Sequence, residues 1–446
     1  MKRHLENHAN PEILSKGHLL RVLGVGFGLA VIIGNTIGAG IFRTPGTIAA
    51  QLPEPTLFLL IWLAGGVYAF LGAISLAELG TMLPRSGGQY VFSRYALGEY
   101  AGFIVGWSDW ISSCGSTAAV ALLIGTFSGA LLPALDGKAP GVAAAVTIVF
   151  AMLQWRGIVW GSNIQNLTSL LKALAFLALI AAAFMLGGGG ALANPQPSSS
   201  TVTIAAIVVS LQAVIYTYDG WSGVIYFSEE VREPARDIPR ALFGGVAAVT
   251  AIYLLVNLAL LYVLPVSQIA GQEFAAGTAA NAIFGAHGDT IFRVLTIVSM
   301  LSGINALHLM ATRVLFAMSR DGLFTRRAAA VNEGGTPNVA LFMSTLVAVL
   351  FILLGQTFDR VIAALAFFFV ANYILSFISL FVLRRREPDK PRPYRAWGYP
   401  VTPALALLGS LLFLAGAIRA ETRNSLYAFG LLAVSYPVFR LLKLLR

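Results

Sequence analysis

The segment IIGNTIGAGIFRTP, residues 32–45, places helix-breaking residues inside an apolar run that is long enough to cross a membrane. It contains Gly34, Gly38 and Gly40 and, just beyond them, Arg43. The spacing of Gly34 and Gly38 is as compatible with a small-residue face that lets two helices pack closely as with a break in the helix. This segment alone leaves both interpretations open.

A second interrupted run favours the break. The segment LQAVIYTYDGWSGVIYFSEEV, residues 211–231, carries Asp219, Gly220 and Gly223 between apolar residues. An aspartate at membrane depth costs about 3 kcal/mol or more unless it meets water, a partner or a ligand. Glycine-interrupted spans at matching positions in two halves of a chain are typical of transporters with a binding site near the middle of the membrane. The two segments therefore predict broken first and sixth spans that face one site.

Composition and hydropathy define the fold class. The chain has 446 residues, of which 57% are hydrophobic and 11% are charged. Soluble domains carry about 25% charged residues, so a water-soluble fold is excluded. Apolar runs recur along the chain and predict an all-α integral membrane protein with about twelve transmembrane helices. The expected spans are 22–50, 56–80, 99–132, 139–155, 163–187, 203–228, 241–265, 290–317, 339–355, 361–383, 400–418 and 425–442.

The positions of the two interrupted spans predict an internal repeat. Each of them begins a group of five helices, so we expect two inverted five-helix repeats followed by two further helices. Residues 1–21 are then an N-terminal tail, 22–187 the first repeat and 203–383 the second repeat. Residues 384–446 hold a cytosolic loop and the last two spans.

Basic residues are concentrated in alternate loops. With a cytosolic N-terminus, 23 of the 30 lysine and arginine residues lie in inside segments and five lie outside. This bias predicts a multi-pass protein of the cell membrane with both termini in the cytosol. The net charge of +10 is therefore a topology signal and gives no indication of nucleic-acid binding.

Each predicted break supplies backbone groups of both signs. The half-helix that begins at a break offers free amides, which suit a carboxylate, and the half-helix that ends there offers free carbonyls, which suit an ammonium group. Unpaired backbone at membrane depth requires protein, a cavity or a ligand beside it. A site with both groups suits a zwitterion, and an α-amino acid is the plainest zwitterion with a variable side chain.

Several motifs along the chain carry a family resemblance. They are IGAGIFRTPG, AELGTMLPRSGGQYVF, YDGWSGVIYFSEEVREPARDIPRAL, SRDGLF and YRAWGYPVTPAL. With them the sequence resembles the amino acid–polyamine–organocation superfamily, and within it the L-type amino acid transporters and their bacterial relatives. The resemblance implies two inverted five-helix repeats plus two further helices, and alternating access to a central site. We predict a secondary transporter that exchanges α-amino acids without sodium.

The resemblance also implies which residues bind the substrate. The family holds the carboxylate and amino groups of its substrate with backbone at the two breaks. The matching positions are Thr36, Ile37, Gly38, Ala39, Gly40 and Ile41 in the first span, and Tyr216, Asp219, Gly220 and Trp221 in the sixth. Trp221 directly follows the second break, where its indole could close over the substrate.

Asp219 and Arg43 leave two interpretations open. Some relatives carry a small residue at the position of Asp219, and relatives with aspartate include ones that accept cationic amino acids. Asp219 then attracts a basic side chain. Alternatively Asp219 pairs with Arg43 and no net charge remains to select a substrate. Arg43 is also a candidate residue of the outer gate.

Lys172 lies about nine residues into the fifth span, roughly 13 Å from its end. An ammonium at this depth is a candidate functional group. We expect it to take the place of the coupling cation of sodium-driven relatives, donating to carbonyls freed at the first break and to hydroxyls such as Ser299 or Ser302. The resemblance agrees, since a lysine at the matching position marks sodium-independent transport.

Other buried polar residues have simpler interpretations. Glu78, Glu229 and Glu230 lie at span ends, where they either pair with Arg85 or Arg232 as an inner gate or are solvated caps. Asp109 in the third span is expected to hydrogen-bond to neighbouring helices, and His308 in the eighth to be a packed polar residue.

Alternative functions have weaker support. The sequence has no HExxH motif and one cysteine, so neither an enzyme nor a protein with a metal or another cofactor is expected. Broken helices favour a carrier over a channel. Proton-coupled uptake of amino acids or polyamines is the main alternative to exchange. The loop LPALDGKAP between the third and fourth spans has no cysteine, so a disulfide-linked heavy subunit is not expected.

Overall fold

The computed structural model describes residues 18–188, 190, 202–355, 358–420 and 422–444, with side chains at 358–366, 420, 422–429 and 431 left out. Most of the predicted N-terminal tail, residues 1–21, therefore lies outside the described residues. So does most of the polar segment between the two predicted repeats.

The described residues form sixteen α-helices. In chain order they are α1 (Val25–Thr36), α2 (Gly40–Gln51), α3 (Pro55–Met82), α4 (Gln89–Leu97), α5 (Glu99–Leu131), α6 (Ala139–Trp155), α7 (Ile158–Leu186), α8 (Ile204–Thr217), α9 (Pro234–Val263), α10 (Val266–Ile269), α11 (Ala275–Phe284), α12 (Gly288–Arg320), α13 (Asn338–Gly355), α14 (Phe358–Arg386), α15 (Val401–Ala420) and α16 (Thr422–Leu444). Short 3-10 helices lie at Pro133–Leu135, Gly223–Phe227, Gly285–His287 and Arg326–Ala329.

The membrane-spanning helices confirm the predicted fold class. Eight stretches of the described chain are long and apolar enough to cross a membrane, and α1 and α2, bent by 48° across their break, form a ninth. The helices α6 and α8 are apolar but shorter, and α16 occupies the predicted twelfth span. Within the described ranges there is no β-strand, only an isolated parallel bridge between Leu23 and Val231.

Packing brings the two interrupted spans together. The helix α5 runs along α12, α6 and α14, while α9 runs along α3 and α1. Gly220, just after α8, has a φ of +106°, which favours glycine, and a Cβ at this position would lie 2.7 Å from Asn35 Nδ2 of α1. The second break therefore lies against the end of α1.

The second half of the sixth span differs from the expected half-helix. After α8 ends at Thr217, the chain forms turns and then only the five-residue 3-10 helix Gly223–Phe227 before α9 begins. The positive φ of Gly220 cannot be part of a right-handed helix, so the chain leaves the break without a continuous run of aligned amides. Of the two breaks, only the first has an α-helix starting at it.

Candidate functional site

The first break is a short non-helical connection between α1 and α2. Gly38 N donates to Thr36 O at 2.9 Å, and Phe42 N donates to Ala39 O at 3.2 Å. These short-range bonds replace the regular helical ladder. The amides of Gly40 and Ile41, at the start of α2, therefore have no described carbonyl partner in a preceding turn of helix.

A cavity of about 90 Å³ lies between the two breaks. We call it the central cavity. Its lining comes from both broken spans and from α5, α12 and α14. The lining residues are Asn35, Thr36, Gly38, Ala39, Gly40, Ser116, Val120, Tyr216, Thr217, Asp219, Leu307 and Phe369.

Six of the ten predicted binding residues line the central cavity. They are Thr36, Gly38, Ala39, Gly40, Tyr216 and Asp219. The side chains of Ile37 and Ile41 are fully buried outside that lining. Gly220 lines a smaller neighbouring cavity instead.

Trp221 is placed differently from the expected lid over the substrate. Its indole is buried, stacks on the ring of Tyr373 with centroids 5.0 Å apart and packs against Gly72, where a Cβ would lie 2.6 Å from the indole. In this structure Trp221 therefore supports the wall behind the second break and does not face the central cavity.

Sequence reasoning missed half of the lining. The residues concerned are Asn35, Ser116, Val120, Thr217, Leu307 and Phe369. Val120, Leu307 and Phe369 are apolar residues within apolar spans, so their type carries no signal. Asn35 and Ser116 are polar residues within such spans, and this could have marked them.

Lys172 of α7 reaches the first break. Its Nζ donates to Gly34 O at 2.7 Å and to Ile37 O at 2.5 Å, and the side chain has no exposed surface. Ser299 Oγ of α12 donates to the same Ile37 carbonyl at 3.3 Å. Ser302 Oγ bonds instead to Ser299 O within its own helix, at 3.0 Å. The ammonium and one of the two named hydroxyls therefore meet at the carbonyl end of α1.

Asp219 and Arg43 have different partners. Asp219 accepts a hydrogen bond of 2.8 Å from Tyr373 Oη. Arg43 Nη2 donates to Glu273 Oε1 at 2.9 Å, and its guanidinium lies 5.5 Å from the centre of the Phe274 ring. The structure thus gives Arg43 a carboxylate other than Asp219, in the segment between α10 and α11.

The sequence profile of amino acid permeases matches residues 28–435 of this chain. The chain belongs to this family. Its members and the relatives below are transporters, so the permease is not an enzyme, and the resemblance to the amino acid–polyamine–organocation superfamily is confirmed. Amino acid transport across a membrane, by a multi-pass protein, follows from the family and from the helices.

Curated relatives align along most of the permease. The serine/threonine exchanger SteT of Bacillus subtilis is 30% identical over 414 residues, which cover 91% of this chain and 93% of SteT. The b(0,+)-type amino acid transporter 1 of Mus musculus is 26% identical, covering 94% and 87% of the two chains. The large neutral amino acids transporter small subunit 2 of Homo sapiens is 26% identical, covering 87% and 75%.

A tyrosine of α9 joins the two breaks of the permease. The hydroxyl of Tyr253, which is fully buried, lies 2.7 Å from Thr36 O and 2.9 Å from Thr217 O. Each of these carbonyls belongs to the last residue of a half-helix, α1 or α8. The side chains of Thr44 and Thr217 add a hydroxyl contact of 2.6 Å between α2 and α8. The two broken spans are therefore held against one another at the central cavity.

A second cavity of the permease, of about 20 Å³, adjoins the first and shares Asp219 with it. We call it the polar chamber. Asp109 of α5 lines it, and both carboxylate oxygens accept from Tyr226 Oη, at 3.0 and 2.9 Å. Tyr226 lies in the 3-10 helix that follows the second break, so Asp109 ties α5 to that segment.

The acidic residues at the end of the bundle where α1 begins form ion pairs, although with other arginines than expected. Glu230 and Arg313 form a bidentate pair, at 3.0 and 2.9 Å, with no exposed surface on either side chain. Glu229 pairs with Arg320 at 2.6 Å. Glu78 accepts from Arg384 at 2.6 Å and from Arg392 at 3.0 Å.

One of the two predicted partners, Arg85, bonds to a different carboxylate. Arg85 pairs with Asp321 at 3.0 Å, in the loop after α12. Proximity in sequence did not predict the partners at this end, because the pairs join helices that are distant along the chain.

His308 is packed as a buried polar residue and bonds to Thr345 Oγ1 at 2.9 Å. In the part of the permease that the structure describes, no group of three or more His, Cys, Asp or Glu residues is arranged to hold a metal ion.

Proposed function

We propose that the permease exchanges α-amino acids across the cell membrane by alternating access, without sodium. The central cavity between the two broken spans carries this proposal, because it presents the start of an α-helix on one side and a carboxylate on the other. The names of the relatives are consistent with it, since SteT is a serine/threonine exchanger and the others are amino acid transporters.

The carboxylate of the substrate is assigned to the start of α2. The first turn of this helix begins at Gly40, which lines the cavity together with Gly38 and Ala39, and the helix dipole is positive there. The hydroxyl of Thr36 is buried at the same place and bonds to none of the described groups. A carboxylate can therefore accept from backbone amides and from one hydroxyl. The remaining predicted residues, Ile37 and Ile41, contribute backbone to this segment.

The ammonium of the substrate is assigned to the carbonyl ends of α1 and α8, near Thr36 and Thr217. Each backbone carbonyl has two lone pairs, so it can accept from the substrate in addition to Tyr253. The side chain of the substrate then extends toward Tyr216, Asp219 and Gly220, where the polar chamber opens. Asp219 selects side chains that are cationic or donate hydrogen bonds, because no arginine of the described contacts neutralises it.

Lys172 is assigned the role of a tethered cation. An ammonium that donates to Gly34 O and Ile37 O supplies the positive charge that a sodium ion would bring to these carbonyls. With the charge attached to α7, substrate binding requires no sodium. Ser299 Oγ of α12 donates to the same Ile37 carbonyl, and Ser302 Oγ donates in turn to Ser299 O.

The movement of alternating access is assigned to the two broken spans. Each broken span begins one of the two related halves, the first repeat, 22–187, and the second repeat, 203–383. The concentration of basic residues in alternate loops assigns both termini to the cytosol. The ion pairs Glu230–Arg313 and Glu229–Arg320 then close the cytosolic end, and Arg43 with Glu273 belongs to an outer gate.

Transport by purified permease in proteoliposomes tests the proposal. Each of the twenty amino acids, with ornithine, agmatine and putrescine, is supplied outside in labelled form, with and without unlabelled amino acid inside. We expect uptake that requires internal amino acid and persists when choline replaces sodium. Uptake into empty vesicles at an unchanged rate would contradict exchange.

Proton-coupled uptake is the second candidate, and the polar chamber is the observation that favours it. Asp109 and Asp219 line this one small cavity and have phenol hydroxyls as their described side-chain partners. Two carboxylates in one buried cavity repel one another unless a proton or a cation joins them. Uptake into empty vesicles that rises with an inward proton gradient would favour this function over exchange.

A further inference from the structure

A chain of side-chain amides runs through the helices beside the central cavity. Gln154 Nε2 of α6 donates to Asn305 Oδ1 of α12 at 2.9 Å. Asn305 Nδ2 donates to Gln165 Oε1 of α7 at 2.9 Å, and Gln165 Nε2 donates to Ala30 O of α1 at 3.1 Å. All three amide side chains are buried. Four helices are thus linked by hydrogen bonds that all point toward α1. We call Gln154, Asn305 and Gln165 the amide relay.

The relay ends in register with Lys172. Gln165, Ser169 and Lys172 are spaced at i, i+4 and i+7, so they lie on one face of α7. Ser169 Oγ donates to Ala30 O at 2.7 Å, while Lys172 donates one and two turns further along α1, to Gly34 O and Ile37 O. A single polar face of α7 therefore holds the last two turns of α1 up to the break.

The close approach of the two helices depends on Gly34. A Cβ at this position would lie 2.1 Å from Gln165 Nε2 and 2.7 Å from Ser169 Oγ. The absence of a side chain lets the amide and the hydroxyl reach the backbone of α1.

Asn305 connects this face to the wall of the central cavity. Its two amide hydrogens are both used, one on Gln165 Oε1 and the other on Gly161 O at 3.0 Å. Its own helix, α12, supplies Leu307 to the cavity and Ser299 to the carbonyl of Ile37. Asn305 itself is outside the cavity lining. Asn305 therefore links the cavity wall to α1 through Gln165, and its side chain would not touch an amino acid bound in the cavity.

We propose that Asn305 is a positioning residue of the transport cycle, which through Gln165 holds α1 so that the first span bends at its break. This inference rests on the proposed function, in which the break moves during alternating access. While the relay is intact, Gln165 fixes α1 to α7 at Ala30, and Lys172 of the same face of α7 continues the attachment to Ile37. The turn at Gly38 is then the part left free. Without the relay the bending is spread along α1, and fewer movements complete the cycle.

Kinetics of exchange in proteoliposomes test the inference. The Asn305→Ala variant removes three hydrogen bonds between helices. We expect its maximal rate of exchange of labelled L-serine or L-leucine to fall about tenfold. The KM for the amino acid stays within twofold of the wild-type value, because no contact to the ligand is removed. The Asn257→Ala variant is the matched control, since Asn257 is also fully buried and, among the described residues, bonds to Tyr253 O of its own helix, at 2.8 Å.

A cycle with Gln165→Met separates the relay from a general loss of stability. If the relay acts as one unit, the double variant exchanges no more slowly than the slower single variant. If Asn305→Ala does not give monodisperse protein, the Gln165→Met variant is measured instead. It removes the same hydrogen bond between Asn305 and Gln165, and its maximal rate then tests the proposal.

An unchanged maximal rate in the folded variant, or a KM that rises by as much as the rate falls, would overturn the proposal. The proposed function fails if the wild-type protein does not exchange amino acids, whereas the role of Asn305 fails if wild type and variant exchange at the same rate. The two results are therefore distinguishable.

Discussion

The ammonium of Lys172 lies 2.5 Å from the backbone oxygen of Ile37, the residue at which the first membrane span of the permease is interrupted. A carbonyl freed by a helix break needs a donor when water is absent. The permease supplies that donor from α7, about 135 residues away along the chain. Much of the behaviour that we predict depends on this contact.

Replacing Lys172 by methionine keeps an unbranched side chain, one atom shorter, and removes its charge. We expect exchange to fall between about tenfold and 100-fold, because a charged hydrogen bond is worth about 1.5–3 kcal/mol and the carbonyls of Gly34 and Ile37 both lose their bond to the ammonium. Initial rates of labelled amino acid uptake measure the loss. Wild-type uptake in choline buffer is the companion measurement, and a strict requirement for sodium there would refute the tethered cation.

Substitution of Asp219 tests substrate selection. The Asp219→Gly variant is expected to lose uptake of arginine and ornithine while it keeps uptake of leucine and alanine, because the side chains of leucine and alanine have no group that binds the carboxylate. Asp219→Asn is the matched control for size, since it keeps an acceptor for Tyr373 Oη. Competition of each unlabelled amino acid against a labelled neutral one measures the preference for cationic over neutral substrates. An equal loss for all substrates would show that Asp219 serves the structure of the site and not its selectivity.

Two glycines of the first span are expected to respond differently to alanine. Gly34→Ala places a methyl group 2.1 Å from Gln165 Nε2, so the variant should unfold at a temperature several degrees lower, for a cost of about 1–3 kcal/mol. Gly38→Ala meets its nearest described atom only at 3.9 Å, so its unfolding temperature should stay near that of the wild type. Because Gly38 lines the central cavity, its variant should instead bind amino acid more weakly.

Thermal unfolding in detergent with and without amino acid measures both effects. If Gly34→Ala unfolds at the wild-type temperature, the close approach of α7 to α1 is not required for stability. A Gly38→Ala variant that binds as tightly as the wild type would place the ligand elsewhere.

The buried pair of Glu230 and Arg313 gives a prediction about stability. Removing one partner, as in Glu230→Gln, leaves an arginine without exposed surface and without its countercharge, which costs about 3–5 kcal/mol. The pair of Asp289 and Arg293 is the control, since these side chains are 54% and 26% exposed and an exposed pair contributes about 0–1 kcal/mol. We therefore expect a large fall in unfolding temperature for Glu230→Gln and almost none for Asp289→Asn. Similar shifts for both variants would contradict the difference in burial.

The sequence by itself determined the fold class and the positions of the two helix breaks. Apolar runs separated by charged loops predict spanning helices, because the cost of burying charge in a bilayer depends on composition and not on packing partners. Glycines and an aspartate within two such runs mark the breaks for the same reason. Six of the ten predicted binding residues therefore line the central cavity.

Only the tertiary structure decided which side chains meet. Arg43 bonds to Glu273, and Glu230 bonds to Arg313, because helices far apart in the chain place these groups side by side. Trp221 packs behind the break against Gly72, a contact that no feature of its own segment indicates. The amide relay likewise depends on the distances between four helices. Periodicity and local composition describe one helix at a time, whereas a hydrogen bond between helices depends on how they cross.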